Sequence, residues 1–257
     1  MPRASVNGVL LYYEELGSGT PIVGVHGAGS SATFWEDAGR KLAELGRVII
    51  YDRRGSNRSE RPDPYERTSV TEHADDLREL LRVLGAEPAV AIGRSYGGTV
   101  ALDLALRHPD ALLGLALLEA GPSGLSPEYD AWFASILARA EDVEPSAVGE
   151  IVLREVFGAW EELPDAWRDV FTRNGPALLA ELRGGETTDT ARLDELSVPA
   201  LVVTADDSPD PIRLGSEALA RALTQARHVR VGGGHAIDPA GPEVLQFVTE
   251  ILAPART

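Results

Sequence analysis

Six residues, Gly93-Arg94-Ser95-Tyr96-Gly97-Gly98, constrain the fold more than any other stretch of the chain. They lie between a short apolar run, Pro88 to Ile92, and a segment from Thr99 to Arg107 whose Val100, Leu102, Leu104 and Leu106 sit in a helix-forming context. Gly-x-Ser-x-Gly at such a junction holds the serine at the tip of a sharp, strained turn. Glycine two residues before and two after lets strand and helix approach closely, and Gly93, Gly97 and Gly98 meet that need. The helix that follows points its free N–H groups and positive dipole end to the place where a tetrahedral oxyanion would form. Ser95 is therefore the candidate nucleophile.

The flanking sequence repeats the same strand, loop and helix grammar. Val9 to Glu14 reads as a hairpin-like strand, Ile22 to Val25 and Arg47 to Tyr51 as central strands, and Thr33 to Leu45 and Thr68 to Leu84 as helices, the latter capped by Thr68 with Glu72 close behind. Leu113 to Glu119 and Val198 to Thr204 are further buried strands, followed by a helix over Pro211 to Leu223, a strand near His228 to Val231 and a helix over Pro242 to Leu252. This alternation predicts an α/β fold with a doubly wound, mainly parallel sheet. From Gly121 to Ala191 the pattern changes to helices broken near Pro127, Pro145, Pro164 and Gly175-Pro176. The expected division is a core of residues 1–121 and 192–257 with an inserted helical cap at 122–191. Trp132, Trp160 and Trp167 fall in that insertion and are candidates for the substrate wall, as are Phe34 and Trp35 after the first glycine-rich loop.

Composition narrows the function classes. A formal charge of −16 repels phosphate backbones and anionic lipid surfaces, which argues against nucleic acid and membrane partners. The absence of cysteine excludes disulfides, thiolate metal sites and a cysteine nucleophile, and the five histidines lack metal-ligand spacing, so neither metal nor cofactor is expected. No apolar run approaches membrane-spanning length and no signal-type apolar region follows Met1, so a cytoplasmic protein acting on a small molecule is expected, with homodimerisation left open.

Four motifs in order, His26-Gly27-Ala28-Gly29, Asp52-Arg53-Arg54-Gly55, the Ser95 turn and Gly234-His235 after the last strand, make nearly the whole chain resemble a capped α/β-hydrolase. The resemblance implies an oxyanion hole from the backbone N–H groups of Ala28 and Tyr96, and His235 as general base. It gives His26 a role in shaping the oxyanion loop and leaves Asp52, Arg53 and Arg54 structural. Where the family pattern carries its aspartate this chain has Ser208, in Ala205-Asp206-Asp207-Ser208-Pro209. Two carboxylates then compete as the triad acid. Asp207 is one residue out of register. Glu119 ends a buried apolar strand, where an unpaired carboxylate is costly. Leu118-Glu119-Ala120 resembles the acid-bearing strand end of haloalkane dehalogenases and zearalenone-type lactone hydrolases, and the latter also carry a small hydroxyl residue plus proline at the position of Ser208-Pro209; Glu119 is the preferred assignment. Arg94, where the lactone hydrolases lack a basic residue, is expected either in a salt bridge or facing the cap.

The resemblance implies acyl transfer from an ester or lactone of a largely apolar small molecule to water. Ser95 argues against the dehalogenase and epoxide hydrolase branches, whose nucleophile is an aspartate. Carbon–carbon bond hydrolysis, perhydrolysis, or ligand reception without turnover are the remaining readings.

Overall fold

A computed structural model describes residues 2–158 and 160–253. Eight strands form one sheet: β1 (Arg3–Val6), β2 (Val9–Leu16), β3 (Pro21–Val25), β4 (Arg47–Tyr51), β5 (Ala89–Arg94), β6 (Leu112–Leu118), β7 (Ala200–Ala205) and β8 (Arg227–Val231). Their spatial order is β1-β2-β4-β3-β5-β6-β7-β8. The hairpin β1-β2 and the β2-β4 pair are antiparallel, and every pair from β4 through β8 is parallel. Parallel strands buried on both faces need apolar side chains throughout. The run Leu112 to Leu118 supplies them, and Ala91, Leu115, Leu117 and Val202 enter one core layer while Ile92, Ala116, Leu118 and Val203 enter the other.

Helices cover both faces. They are α1 (Glu36–Leu42), α2 (Val70–Val83), α3 (Tyr96–Arg107), α4 (Pro127–Glu141), α5 (Val148–Phe157), α6 (Asp165–Arg173), α7 (Gly175–Gly184), α8 (Asp210–Ala222) and α9 (Pro242–Leu252). The α2 and α3 helices pack with β1 on the first layer, and α1 and α9 seal the second. Two sequence expectations shift. The helix expected over Thr33 to Leu45 begins as a 3-10 turn, Ala32–Trp35, before α1. The cap of α2 is Ser69 rather than Thr68: Ser69 Oγ accepts the Glu72 N–H at 3.1 Å, while the Thr68 hydroxyl donates to the Glu72 carboxylate at 2.6 Å.

Between β6 and β7 the chain runs through α4, α5, α6 and α7, and this helical stretch has its own small core of Ile136, Ala140, Val148, Leu178, Leu179 and Leu182. It is fastened to the loops at the carboxyl ends of the strands by polar contacts. Asn174 donates to the carbonyls of Gly29 at 2.9 Å and Ser30 at 2.8 Å and accepts the Asn57 N–H at 2.7 Å. Glu181 pairs with Arg53 at 2.8 Å, both fully enclosed. No helix among the described residues is long and apolar enough to cross a membrane.

Candidate active site

The turn between β5 and α3 is as sharp as its glycines imply. Ser95 adopts φ 54° and ψ −129°, a region that costs an ordinary residue about 1–3 kcal/mol. The surrounding contacts hold it there: its N–H donates to Leu118 at 2.8 Å and its carbonyl accepts from Gly98 at 2.7 Å. A side chain at Gly97 would collide with the carbonyls of Val25 and His26, and one at Gly98 with Ala120. These glycines are thus required by close approach.

The neighbouring strand β3 delivers the glycine-rich loop. His26 is fully buried, accepts the Arg53 N–H on Nε2 at 3.0 Å, and therefore carries its proton on Nδ1, which lies 2.8 Å from the Gly27 carbonyl. Burial, reinforced by the Arg53 charge, pushes its pKa well below the ordinary value, so it stays neutral. The Arg53 guanidinium also donates to the carbonyls of His26 and Gly27 at 3.1 and 3.0 Å. With its carbonyls so held, the loop places Ala28 in the cavity wall beside Ser95; a Cβ on Gly27 would sit 3.4 Å from Ser95 Cβ. Tyr96 N–H opens α3 on the other side of the serine.

One strand further, Glu119 follows β6 with φ 48° and is 2 % exposed. Three donors converge on its carboxylate. Oε1 accepts the Ala205 N–H at 3.0 Å, and Oε2 accepts the Ser208 hydroxyl at 2.5 Å and His235 Nδ1 at 2.8 Å. Burial alone would raise this carboxyl's pKa, but the hydrogen bond and charge of His235, with the Ser208 and Ala205 donors, together bring it below the ordinary value. An ionised carboxylate only accepts, so Nδ1 of His235 carries the proton and Nε2 is left as a base. Ser95 and His235 line the same cavity and are not hydrogen-bonded to one another, a looseness common in unliganded sites.

Ser95, His235, Glu119, Ala28, Tyr96, Phe34, Trp132 and Trp167 all border one cavity of about 90 Å³. Phe34 and Trp167 meet edge to face at 5.0 Å between ring centroids, and Phe157 lies between Trp167 and the His235 ring at 6.1 and 6.4 Å. Three sequence candidates lie elsewhere. Asp207 is exposed on the β7–α8 loop, and its carboxylate makes no hydrogen bond or ion pair with His235; Ser208, the next residue, turns inward to Glu119. Trp35 is 1 % exposed inside the second core layer: Gly24 has no side chain, and the indole occupies that space, 2.5 Å from where a Cβ would lie. Trp160, in a short 3-10 turn, is half-buried outside the cavity wall.

Of the two placements expected for Arg94 the salt bridge is absent: its guanidinium has no hydrogen bond or ion pair among the described residues, and the residue lines the cavity. Two further wall residues were not singled out from sequence. Glu186 accepts the Thr99 hydroxyl at 2.7 Å and the Tyr129 hydroxyl, and burial raises its pKa to about 7. Glu181 borders the same space. The signal for Glu181 was an acid inside the apolar run Leu178 to Leu182. No group of three or more His, Asp or Glu suited to a metal ion occurs among the described residues.

Comparison with known proteins follows the same outline. The putative carbamate hydrolase RutD of Azorhizobium caulinodans is 30% identical over 274 residues, spanning 95% of this chain and 95% of that protein. An uncharacterized hydrolase of Bacillus subtilis, YraK, is 38% identical over 105 residues, and the match spans 41% of this chain and 39% of that protein's length. Among solved structures, a thermophilic esterase from Thermogutta terrifontis superposes with a TM-score of 0.81 at 25% identity over 98% of this chain and 100% of its own. The enol-lactonase from Burkholderia xenovorans LB400 superposes at 0.74 and 25% identity over 97% of each chain. Residues 20–151 match the family described as alpha/beta hydrolase fold, and the chain belongs to that family.

Proposed function

We propose that the protein is a serine hydrolase that cleaves a small carboxylic ester or lactone through an acyl-enzyme. The observation that carries this reading is the 2.8 Å bond from His235 Nδ1 to a buried, ionised Glu119 beside a serine held at positive φ. In this mechanism Ser95 Oγ attacks the carbonyl carbon while His235 Nε2 takes its proton. The negative charge that develops on the carbonyl oxygen is stabilised by the Ala28 and Tyr96 N–H groups and the α3 dipole. Glu119 orients the imidazole and stabilises it while it is charged. The imidazolium then protonates the departing alkoxide, and water, activated by the same nitrogen, releases the acid and restores Ser95.

Residues 122–191 serve as a cap over a core of 1–121 and 192–257, with aromatic side chains of α5 and α6 keeping bulk water from His235. A single ordered water needs roughly 10–15 Å³, so a cavity of about 90 Å³ favours a compact acyl group. Glu119 at the strand end, together with Ser208-Pro209, supports the likeness to zearalenone-type lactone hydrolases in how the acid is supplied. The esterase and lactonase among the structural neighbours support ester-bond chemistry.

The test is hydrolysis of short p-nitrophenyl esters and small lactones, with a fluorophosphonate probe and peptide mass mapping. Wild type should turn over at least one ester and carry the probe on Ser95. Ser95→Ala should lose about 10⁵–10⁶ in kcat and all labelling while keeping its circular dichroism spectrum. Full activity in that variant would end the proposal.

A further inference from the structure

Arg94 is a cation for which the mechanism has no use. It ends β5, directly before Ser95, and lines the same cavity. Every carboxylate near it already has partners. Glu119 holds His235 and Ser208, Glu181 holds Arg53, Glu186 holds Thr99 and Tyr129, and Asp238 holds Lys41 at 2.9 Å. Asp238 attracts Arg94 only from beyond ion-pair distance. No guanidinium nitrogen of Arg94 is among the enclosed side-chain atoms that lack a hydrogen bond, so these nitrogens border open space, and Arg94 lines the cavity. Burial lowers the Arg94 pKa to about 10, which leaves it charged at neutral pH. A largely desolvated cation without a counter-ion is costly, and such costs are characteristic of binding sites.

We infer that Arg94 is an anion subsite, and that the substrates are short esters or lactones bearing a carboxylate a few bonds from the scissile carbonyl. The substrate class rests on the serine hydrolase reading; the subsite does not. The planar fork of the guanidinium matches a carboxylate in two parallel hydrogen bonds. Ser95 being the next residue sets the short spacing between that carboxylate and the carbonyl under attack. The aromatic walls then contact the intervening methylenes.

The experiment compares monoethyl glutarate with its neutral counterpart, the ethyl ester of glutaramic acid, following ethanol release by wild type, Arg94→Met and Arg94→Lys. Wild type should favour the anion. In Arg94→Met the ratio of the two kcat/KM values should fall about thirtyfold, expressed in KM, and Arg94→Lys should keep most of it. An unchanged ratio in Arg94→Met overturns the inference while leaving ester hydrolysis intact. If wild type turns over neither ester, the substrate class fails while the p-nitrophenyl ester panel and the Ser95 probe decide the hydrolase reading separately, and calorimetry with glutarate still decides the subsite: binding lost in Arg94→Met supports it, equal binding refutes it. Should Arg94→Met not fold, binding by wild type decides without a variant, since glutarate must bind at least about tenfold more tightly than glutaramide.

Discussion

Of the three buried glutamates that border the cavity, one from the loops of the sheet, Glu119, and one just after the last helix of the overlying segment, Glu186, end in opposite states. Glu119 is surrounded by a backbone N–H, a hydroxyl and an imidazole that can become positive, and its pKa falls. Glu186 is also enclosed, but burial dominates, its donors are two neutral hydroxyls, and its pKa rises to about 7. Depth alone does not set the charge of a carboxyl. Between these two the partners decide: Glu119 has an imidazole that can take up positive charge, and Glu186 has only hydroxyls.

The sharpest way to break the comparison is Glu119→Gln, which keeps the shape and removes the charge. Its kcat on a p-nitrophenyl ester that wild type turns over should fall about 10³- to 10⁴-fold with secondary structure retained; a loss under tenfold would mean that His235 is oriented by something else. The next effect is on folding. Glu186 has a folded-state pKa above its unfolded value near 4.5, so its protonated form stabilises the fold fully below that value. That contribution is lost as pH climbs through 7. Glu186→Gln should therefore match wild type at pH 4 and exceed it at pH 8 by about 3 kcal/mol, read by urea unfolding at both pH values. A constant difference across pH would show that Glu186 does not titrate as described.

A smaller effect tests how Glu119 is kept ionised. Ser208→Ala removes one of its three donors, so the carboxyl pKa should rise and kcat fall about tenfold. The acid limb of the kcat/KM profile should move to higher pH, a shift that a merely structural defect would not give. The smallest effect belongs to Asp207→Asn. Its carboxylate is exposed and touches neither His235 nor Glu119, so kcat should stay within about twofold, and a large loss would restore Asp207 as the acid.

The same division explains what could be read from the sequence. The sheet side announces itself because backbone sterics dictate it: Gly93, Gly97 and Gly98 are needed by any close strand-to-helix turn, and Glu119 stands out as an acid ending an apolar strand. The alternation of strands and helices likewise gave the fold, with errors at element ends such as Ser69 and with the first strand, β1, unread. The overlying helices follow no comparable rule. Trp132 and Trp167 line the cavity and Trp160 does not, and nothing in their spacing separates them, since the orientation of the helices that carry them depends on tertiary packing. Trp35 was misjudged because it follows the glycine-rich loop closely in sequence, whereas the space it fills is made by the missing side chain of Gly24. Ser208 was visible as a lost aspartate but not as a donor, because that role depends on the chain turning it toward Glu119.

Asn174 ties the overlying helices to the loop beside Ser95. Its amide clasps the carbonyls of Gly29 and Ser30, next to Ala28 in the cavity wall. One side chain thus joins the roof of the cavity to its glycine-rich rim, so the two walls share a support.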